Sequence, residues 1–491
     1  MRGSKRKVVQ SSVVLSLAVG SLLWHTESAA AAPGCLTSSS DFDRDGVADI
    51  VVGIPGGSGR HGSVQVRLSN GGHALTRTIT GAPGFGSAVT SLSSYTKAGD
   101  EGLCSQLVVG SPDESVSTGR SRSGALHVYA WDAGRRQFVS RGAFGPGSRG
   151  VAAPDQAGAR FGASLAAKQH RVEDGERGPD RLYVGAPGFD VDDGDGGAVR
   201  DAGHVVSFVI DDGADPQAHR NRTLDYSDED GAGGSTVGGR LGSSLSVGGG
   251  LVAAGAPGQT VRGAVGAGAV LVEKVDAGPD DFMPEELSQA TAGVPGTPEK
   301  GDRFGAAVHL TASASGRPTL AVGAPGEDLR GKADTGAVTL ARISLTTGEP
   351  VGSVRSVDQD TAGVAGTAEP GDAFGSALSS TGAVSAQTFL VGSPGEDVGR
   401  ARNAGMVQTI GHGTGWTQDT TGVPGQAETG DRMGASLGGS TASGADKPLI
   451  GVPGEDSSTG AVIVGLPRSN HPAGYLKGTK PGGRYGFAVA Q

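Results

Sequence analysis

The feature that most constrains this chain is a short apolar run ending in Gly-x-Pro, which occurs seven times in the sequence. Each run predicts a buried strand and a turn, because apolar residues fill the strand and glycine and proline stop it. Recurrence at a spacing of this kind is typical of repeat architectures, in which each unit is completed by its neighbours. The glycines that open the turns are Gly53, Gly110, Gly185, Gly255, Gly323, Gly392 and Gly451.

Two further signatures accompany each turn. A bulky residue followed by glycine precedes the later turns, and a glycine followed by a small or apolar run, such as Gly268 to Val272, comes after them. Each unit is therefore predicted to contain three strands and a less regular fourth segment, which is the composition of a propeller blade. The bulky-residue pairs begin at Phe85, Phe161, Leu241, Phe304, Phe374, Met433 and Tyr485.

The two ends of the sequence predict how the ring closes. The first unit lacks a bulky residue–glycine pair of its own, whereas Tyr485-Gly486 near the end has no unit to precede. Because an open ring would leave unpaired strand edges, the last strand is expected to join the first blade. The prediction is an all-β, seven-bladed β-propeller over residues 31–491, with blade 1 built from residues 36–80 plus 484–491.

An acidic loop lies directly before the first apolar run. Asp41, Asp43, Asp45 and Asp49 occupy positions 1, 3, 5 and 9 of the loop, and Gly46 occupies position 6. Calcium prefers several oxygen ligands, and a tight loop converges alternate side chains when a flexible residue turns the corner. The pattern predicts a Ca²⁺ site, and the alternative is an acidic surface turn.

The two recurrent signatures and this loop resemble the FG-GAP repeats of the integrin α-chain head. The resemblance covers essentially the whole chain after its first residues, and it implies a β-propeller. It also implies that the Val47 carbonyl joins the four aspartates as a ligand and that the calcium ion braces the lower face. No other unit repeats the loop. Asp190 to Asp195 is a second cation candidate, with a solvated acidic loop as the alternative.

The same resemblance places three Glu-Asp pairs on the upper face, where integrin heads meet their ligands. One interpretation is a ligand platform, and the other is ion pairing with arginines such as Arg303 and Arg432 in neighbouring connections. The pairs are Glu327-Asp328, Glu396-Asp397 and Glu455-Asp456.

The first residues predict an export signal over residues 1–30, with a basic start, a short apolar stretch and small residues near the cut. No later stretch predicts a membrane anchor, so a secreted, extracellular protein is expected. Cys35 and Cys104 are then most simply one disulfide, with lipid attachment at Cys35 as the alternative. The net charge of −10 argues against a nucleic-acid partner.

The favoured functional hypothesis is a non-enzymatic, monomeric, adhesion-type propeller that binds an extracellular protein or glycan. The first alternative is an extracellular hydrolase or lyase with its site at the mouth of the central channel. The second is a structural surface protein that assembles through its rim. Gly434 to Gly438 fits the Gly-x-Ser-x-Gly pattern around Ser436, but that pattern needs a strand-to-helix turn and here falls in a predicted strand.

Overall fold

Each repeat unit forms one four-stranded antiparallel sheet, and there are seven such sheets in the described part of the chain. The computed structural model describes residues 40–490 apart from 57–59, 70–71, 94–104, 117–119, 149–150, 152, 169–179, 211–217, 225–233, 276–283, 312–316, 383–386, 440–446 and 468–471. We number the blades 1 to 7 in chain order.

The strands of the first three blades are as follows. Blade 1 contains β1 (Ile50–Ile54), β2 (His61–Leu68) and β3 (Leu75–Pro83). Blade 2 contains β4 (Ala88–Ser93), β5 (Ser105–Ser111), β6 (Ala125–Asp132) and β7 (Gln137–Phe144). Blade 3 contains β8 (Ser164–Lys168), β9 (Asp180–Ala186), the small hairpin β10 (Val191–Asp192) and β11 (Ala198–Val199), β12 (His204–Ile210) and β13 (Ala218–Leu224).

The remaining blades are more regular. Blade 4 contains β14 (Ser244–Gly248), β15 (Leu251–Ala256), β16 (Ala269–Lys274) and β17 (Glu285–Leu287). Blade 5 contains β18 (Ala307–Thr311), β19 (Thr319–Ala324), β20 (Ala337–Arg342) and β21 (Arg355–Val357). Blade 6 contains β22 (Ala377–Thr381), β23 (Thr388–Ser393), β24 (Met406–Thr409) and β25 (Gly415–Trp416). Blade 7 contains β26 (Ser436–Gly438), β27 (Leu449–Val452), a single helical turn α1 (Glu455–Ser458), β28 (Ala461–Val464) and β29 (Gly474–Lys477).

The last strand, β30 (Ala488–Ala490), completes blade 1 by pairing antiparallel with β1, where Val52 lies opposite Val489. The first strands of successive blades also contact one another in an unbroken circle that runs from β4 to β26 and back through β30. The prediction of a seven-bladed ring closed by the last strand is therefore confirmed.

The second strand of a blade is the most deeply buried. Every residue of β5, β9 and β15 is buried, because these strands have a neighbouring blade on each side. This placement explains why the sequence shows continuous apolar runs there rather than alternation. The bulky residues of the second signature are also buried; Phe85, Phe161, Phe304 and Phe374 have no exposed surface.

Both signature glycines are needed where adjacent blades approach each other. A Cβ added to Gly323 would overlap the carbonyl oxygen of Gly375 in the next blade, so no larger residue fits without moving backbone. Gly375 itself has a φ of +92°, which disfavours any residue with a side chain. The same contact recurs at every blade boundary, including the one that closes the ring, between Gly451 and Gly486.

The connections alternate between two faces because the strands of a blade are antiparallel. Connections between first and second strands and between third and fourth strands lie on one face, which we call the acidic-loop face because it carries residues 41–49. The other connections, including residues 325–328, form the junction face. None of the helices in the described residues is long and apolar enough to cross a membrane.

Candidate functional site

Three of the predicted calcium ligands come together at the start of the described chain. Carboxylate oxygens of Asp41, Asp43 and Asp49 lie within 4.8 Å of one another, a separation that one metal ion can bridge. Asp41 and Asp49 are buried and Asp43 is half-buried. Among the described residues, these aspartates form the one group of acidic, cysteine or histidine side chains with such a geometry.

Backbone hydrogen bonds hold two of these carboxylates in place. Asp41 accepts hydrogen bonds from the N–H groups of Asp45 at 3.1 Å and Gly46 at 2.9 Å, which closes the tight turn. Asp49 accepts from the N–H groups of Phe42 and Ser69, both at 2.8 Å. The loop is therefore tied to the end of β2 as well as to itself, and its carboxylates are oriented by backbone donors.

The electrostatics of the group favour a compensating cation. The pKa of Asp49 is raised to about 8, mainly by burial and also by the neighbouring Asp43 and Asp41 carboxylates, against the lowering effect of its backbone hydrogen bonds. Burial also raises the pKa of Asp41, with contributions from Asp45 and Asp43. A bound divalent cation would stabilise the ionised forms, so the donor set fits calcium chemically.

The other two predicted ligands behave differently. Asp45 directs one carboxylate oxygen to the Ser69 hydroxyl at 2.5 Å and the other to the N–H of Val47 at 3.0 Å. It therefore lies outside the group of three, although it remains close enough to affect the pKa of Asp41. The side of the loop that carries Val47 is exposed. Ligation through the Val47 carbonyl stays a prediction.

The second cation candidate does not converge. In the β10–β11 hairpin, Asp192 and Asp193 accept hydrogen bonds from the backbone of the same turn, at Gly194, Asp195 and Gly197. These acids are exposed and belong to no metal-compatible group in the described residues. The solvated acidic loop is the interpretation that this geometry favours.

On the junction face, the three recurrent glutamates have amide partners rather than arginine partners. Glu396 accepts a hydrogen bond from the side-chain amide of Gln359 in the preceding blade at 2.6 Å. Arg303, expected to pair with such acids, instead lies 3.3 Å from Asp334. We call these contacts the amide junctions: Gln289–Glu327 at 2.6 Å, Gln359–Glu396 at 2.6 Å and Gln418–Glu455 at 2.5 Å.

A buried aspartate accompanies each amide junction. Asp372, for example, accepts the N–H of Glu369 at 2.6 Å, and Asp302 and Asp431 make the equivalent bonds. The pKa of Glu396 is raised to about 7, mainly by burial and also by the Asp372 carboxylate, against the lowering effect of the Gln359 hydrogen bond. Burial likewise raises the pKa of Asp372 to about 6. These carboxyl groups can therefore hold a proton near neutral pH.

The role of the glutamines in the amide junctions was not predicted from the sequence, although the sequence contains a signal for it. Each is followed two residues later by threonine and four residues later by glycine, in three consecutive units. In each unit the threonine hydroxyl accepts the N–H of the residue before the glutamine at 3.0 Å. The recurrence of this motif could have indicated a shared structural role. The glutamines are Gln289, Gln359 and Gln418.

Ser436, His309 and Ser380, which are residue types used in catalysis, have structural partners. Ser436 lies on β26 and donates its hydroxyl to the Gly486 carbonyl at 2.7 Å, as Ser244 does to Gly305 at 2.8 Å. His309 and Ser380 form a pair at 2.9 Å on adjacent first strands. Burial lowers the pKa of His309 to about 4, which makes it a weak proton acceptor at neutral pH.

Two predictions fall outside the described residues. The export signal over residues 1–30 and the Cys35–Cys104 disulfide both lie in segments that the structure does not describe. The pairing stays a prediction.

Comparison with known proteins gives no further assignment. No protein-family model matches the chain, and a search of curated proteins finds no significant match.

Proposed function

We propose that this chain is a secreted, calcium-binding propeller of FG-GAP type that binds an extracellular protein or glycan and has no enzymatic activity. The observation that carries the proposal is the convergence of the Asp41, Asp43 and Asp49 carboxylates within 4.8 Å. The FG-GAP assignment is supported by the paired glycines at the blade boundaries, which explain both signature motifs.

The cation would act as a brace. Asp41, Asp43 and Asp49 would hold it, and it would supply positive charge beside the Asp41 and Asp49 carboxylates, which burial otherwise pushes towards their protonated forms. The loop precedes β1, which pairs with β30, so the brace would lie beside the strand that closes the ring. A stabilising role at this position fits a binding module that must stay folded outside the cell.

The non-enzymatic part of the proposal is supported by the paired groups near the channel. His309 lies 2.9 Å from the Ser380 hydroxyl, and burial lowers its pKa to about 4, so it would be a weak base at neutral pH. The hydrolase alternative therefore has no specific geometric support in the described residues.

A calcium titration of thermal stability tests the proposal. We expect calcium at about 100 times its Kd to raise the free energy of unfolding by about 2.7 kcal/mol relative to chelator. Asp43→Asn and Asp49→Asn should remove most of this gain while the propeller stays folded. Asp192→Asn, which changes an exposed acid on the β10–β11 hairpin, is the matched control and should keep it. An unchanged calcium response in both loop variants would overturn the assignment.

A further inference from the structure

A cavity of about 380 Å³ opens beside the acidic loop, between that loop and blade 2. Its walls include Phe42, Asp43 and Arg44 from the loop, and Trp131, Asp132 and Arg141 from the strands β6 and β7. The volume falls in the range of small-ligand sites. It lies on the acidic-loop face, opposite the face where the resemblance to integrin heads would place a ligand.

The charged side chains that line the cavity comprise equal numbers of positive and negative groups. Asp43 and Asp132 contribute two carboxylates, and Arg44 and Arg141 contribute two guanidinium groups. With the cation left out, these four groups carry no net charge, so the lining by itself does not favour a strongly anionic or cationic ligand. Carboxylates only accept hydrogen bonds and guanidinium groups only donate them, whereas a hydroxyl group can do both. A molecule with several hydroxyl groups therefore matches this lining.

An aromatic side chain supplies the apolar wall. Trp131 is half-buried and its ring lies 5.2 Å from the Phe138 ring at an angle of 59°. The Phe138 ring in turn meets Phe42 edge-on at 5.5 Å. This contact chain fixes the indole in the cavity wall, where it can pack against the C–H face of a pyranose ring.

The cavity and the candidate cation group share residues. Asp43 lines the cavity and belongs to the group formed with Asp41 and Asp49. Phe42 lies between two of these aspartates, and its N–H donates to Asp49. A cation that fixes the loop would therefore also fix one wall of the cavity, and ligand and cation would each favour binding of the other.

We propose that this cavity binds a saccharide unit, with Trp131 as the stacking surface and the four charged groups as hydrogen-bond partners of its hydroxyls. The proposal names the ligand class of the proposed function, and only the coupling to the cation rests on the calcium assignment. The site itself rests on the cavity and its lining.

Saturation-transfer NMR on the full chain tests this site. The probes are D-glucose, D-galactose, D-mannose, L-fucose and N-acetylglucosamine in calcium buffer, with free arginine as a zwitterionic comparison. We expect transfer to at least one sugar and a Kd weakened about tenfold or more in Trp131→Ala, since the stacking surface is lost. Trp416→Ala, on the outer strand β25 of blade 6, is the matched control and should bind as the parent does.

A second variant guards against misfolding of Trp131→Ala. Asp132→Asn removes one charge at the cavity edge and should weaken the same sugar while the melting temperature is kept. No transfer to any sugar, transfer to arginine alone, or equal binding in the parent and both variants would overturn the proposal. Melting curves of the same samples with calcium and with chelator separate the two claims. Sugar binding without a calcium response overturns only the calcium assignment, and a calcium response without sugar binding overturns only this site.

Discussion

The acidic loop and the amide junctions both place carboxylates in buried positions, but they compensate them differently. At each amide junction a glutamate receives a hydrogen bond from a glutamine of the preceding blade. In the acidic loop, three carboxylates lie within 4.8 Å of one another. The junction glutamates therefore each have a side-chain amide partner, and burial raises the pKa of Glu327 and Glu396 to about 7, whereas the loop has a geometry that suits a cation.

The contrast shows that the role of an acidic motif depends on the partners of its carboxylates rather than on its charge alone. Glu114 of blade 2 occupies the turn position equivalent to Glu396, since each carbonyl accepts the N–H of the glycine that precedes the third strand. Its partner is His127, at 2.7 Å, and the pKa of Glu114 is lowered although burial alone would raise it. One turn position thus carries carboxyl groups with opposite pKa shifts.

The largest effect is expected from removing the closing strand. Deleting residues 484–491 removes Tyr485, Gly486 and β30, and it uncovers the edge of β1 and a buried cluster that includes Val52 and Leu449. We expect loss of the cooperative melting transition and precipitation, because unpaired edges associate. Calcium should not restore either property. Circular dichroism and sedimentation check this, and a soluble truncated protein with the parent melting temperature would contradict the closure argument.

A smaller effect is expected at an amide junction. Gln359→Leu leaves the Glu396 carboxyl without its amide donor and should lower the free energy of unfolding by about 1–3 kcal/mol. The exposed Gln137→Leu is the control and should change stability little. Urea unfolding with calcium and with chelator should give the same loss. If calcium restored the stability of Gln359→Leu, the junctions would be cation sites and the contrast with the acidic loop would fail.

The raised pKa of Glu396 at its amide junction predicts that folding stability depends on pH, with a sign that can be worked out. The folded-state pKa of Glu396, about 7, lies above its ordinary value of 4.5. Its contribution to stability is therefore fully present below pH 4.5 and is lost as the pH rises through 7. Between pH 5 and pH 8 the free energy of unfolding of the parent should fall by about 1–3 kcal/mol relative to that of Glu396→Gln, because the glutamine amide does not ionise.

Urea unfolding of the parent and Glu396→Gln at both pH values measures this difference. The exposed neighbour Asp397 provides the control, because Asp397→Asn removes an exposed carboxylate of the same turn and leaves the half-buried Glu396 in place. A parent-to-variant difference that stays constant from pH 5 to pH 8 would show that no proton is held at the junction.

The smallest effect is expected from the exposed ion pairs of the junction face. Arg330 lies 2.8 Å from Asp360 and 3.3 Å from Asp358, but its side chain is 58% exposed. Arg330→Ala should lower the free energy of unfolding by about 0–1 kcal/mol, and 1 M salt should remove the difference. Arg400→Ala, at an exposed position of blade 6, is the control with which the stability change in Arg330→Ala is compared. A loss of unfolding free energy as large as that of Gln359→Leu would indicate that surface ion pairs, rather than the buried amide, stabilise these junctions.

The fold could be predicted because its requirements are local and repeated. Gly323 and Gly375 must both be glycine where two blades meet, and the same pair of requirements appears in every unit. The cation group could be predicted only in part, since Asp45 binds Ser69, a residue 24 positions away that the loop pattern does not include. The amide junctions and the Trp131 cavity were not predicted, because their members come from different blades or from the loop and a distant strand.

The pairing of β1 with β30 has a consequence for how the chain reaches its native state. Val51 lies opposite Ala490, so blade 1 cannot be completed until residue 490 has been synthesised. Until then β1 presents an open edge, while the later blades can assemble from strands that are close in sequence. During synthesis, the first unit to emerge is thus the last to be finished, and its exposed edge is where premature association between nascent chains would begin.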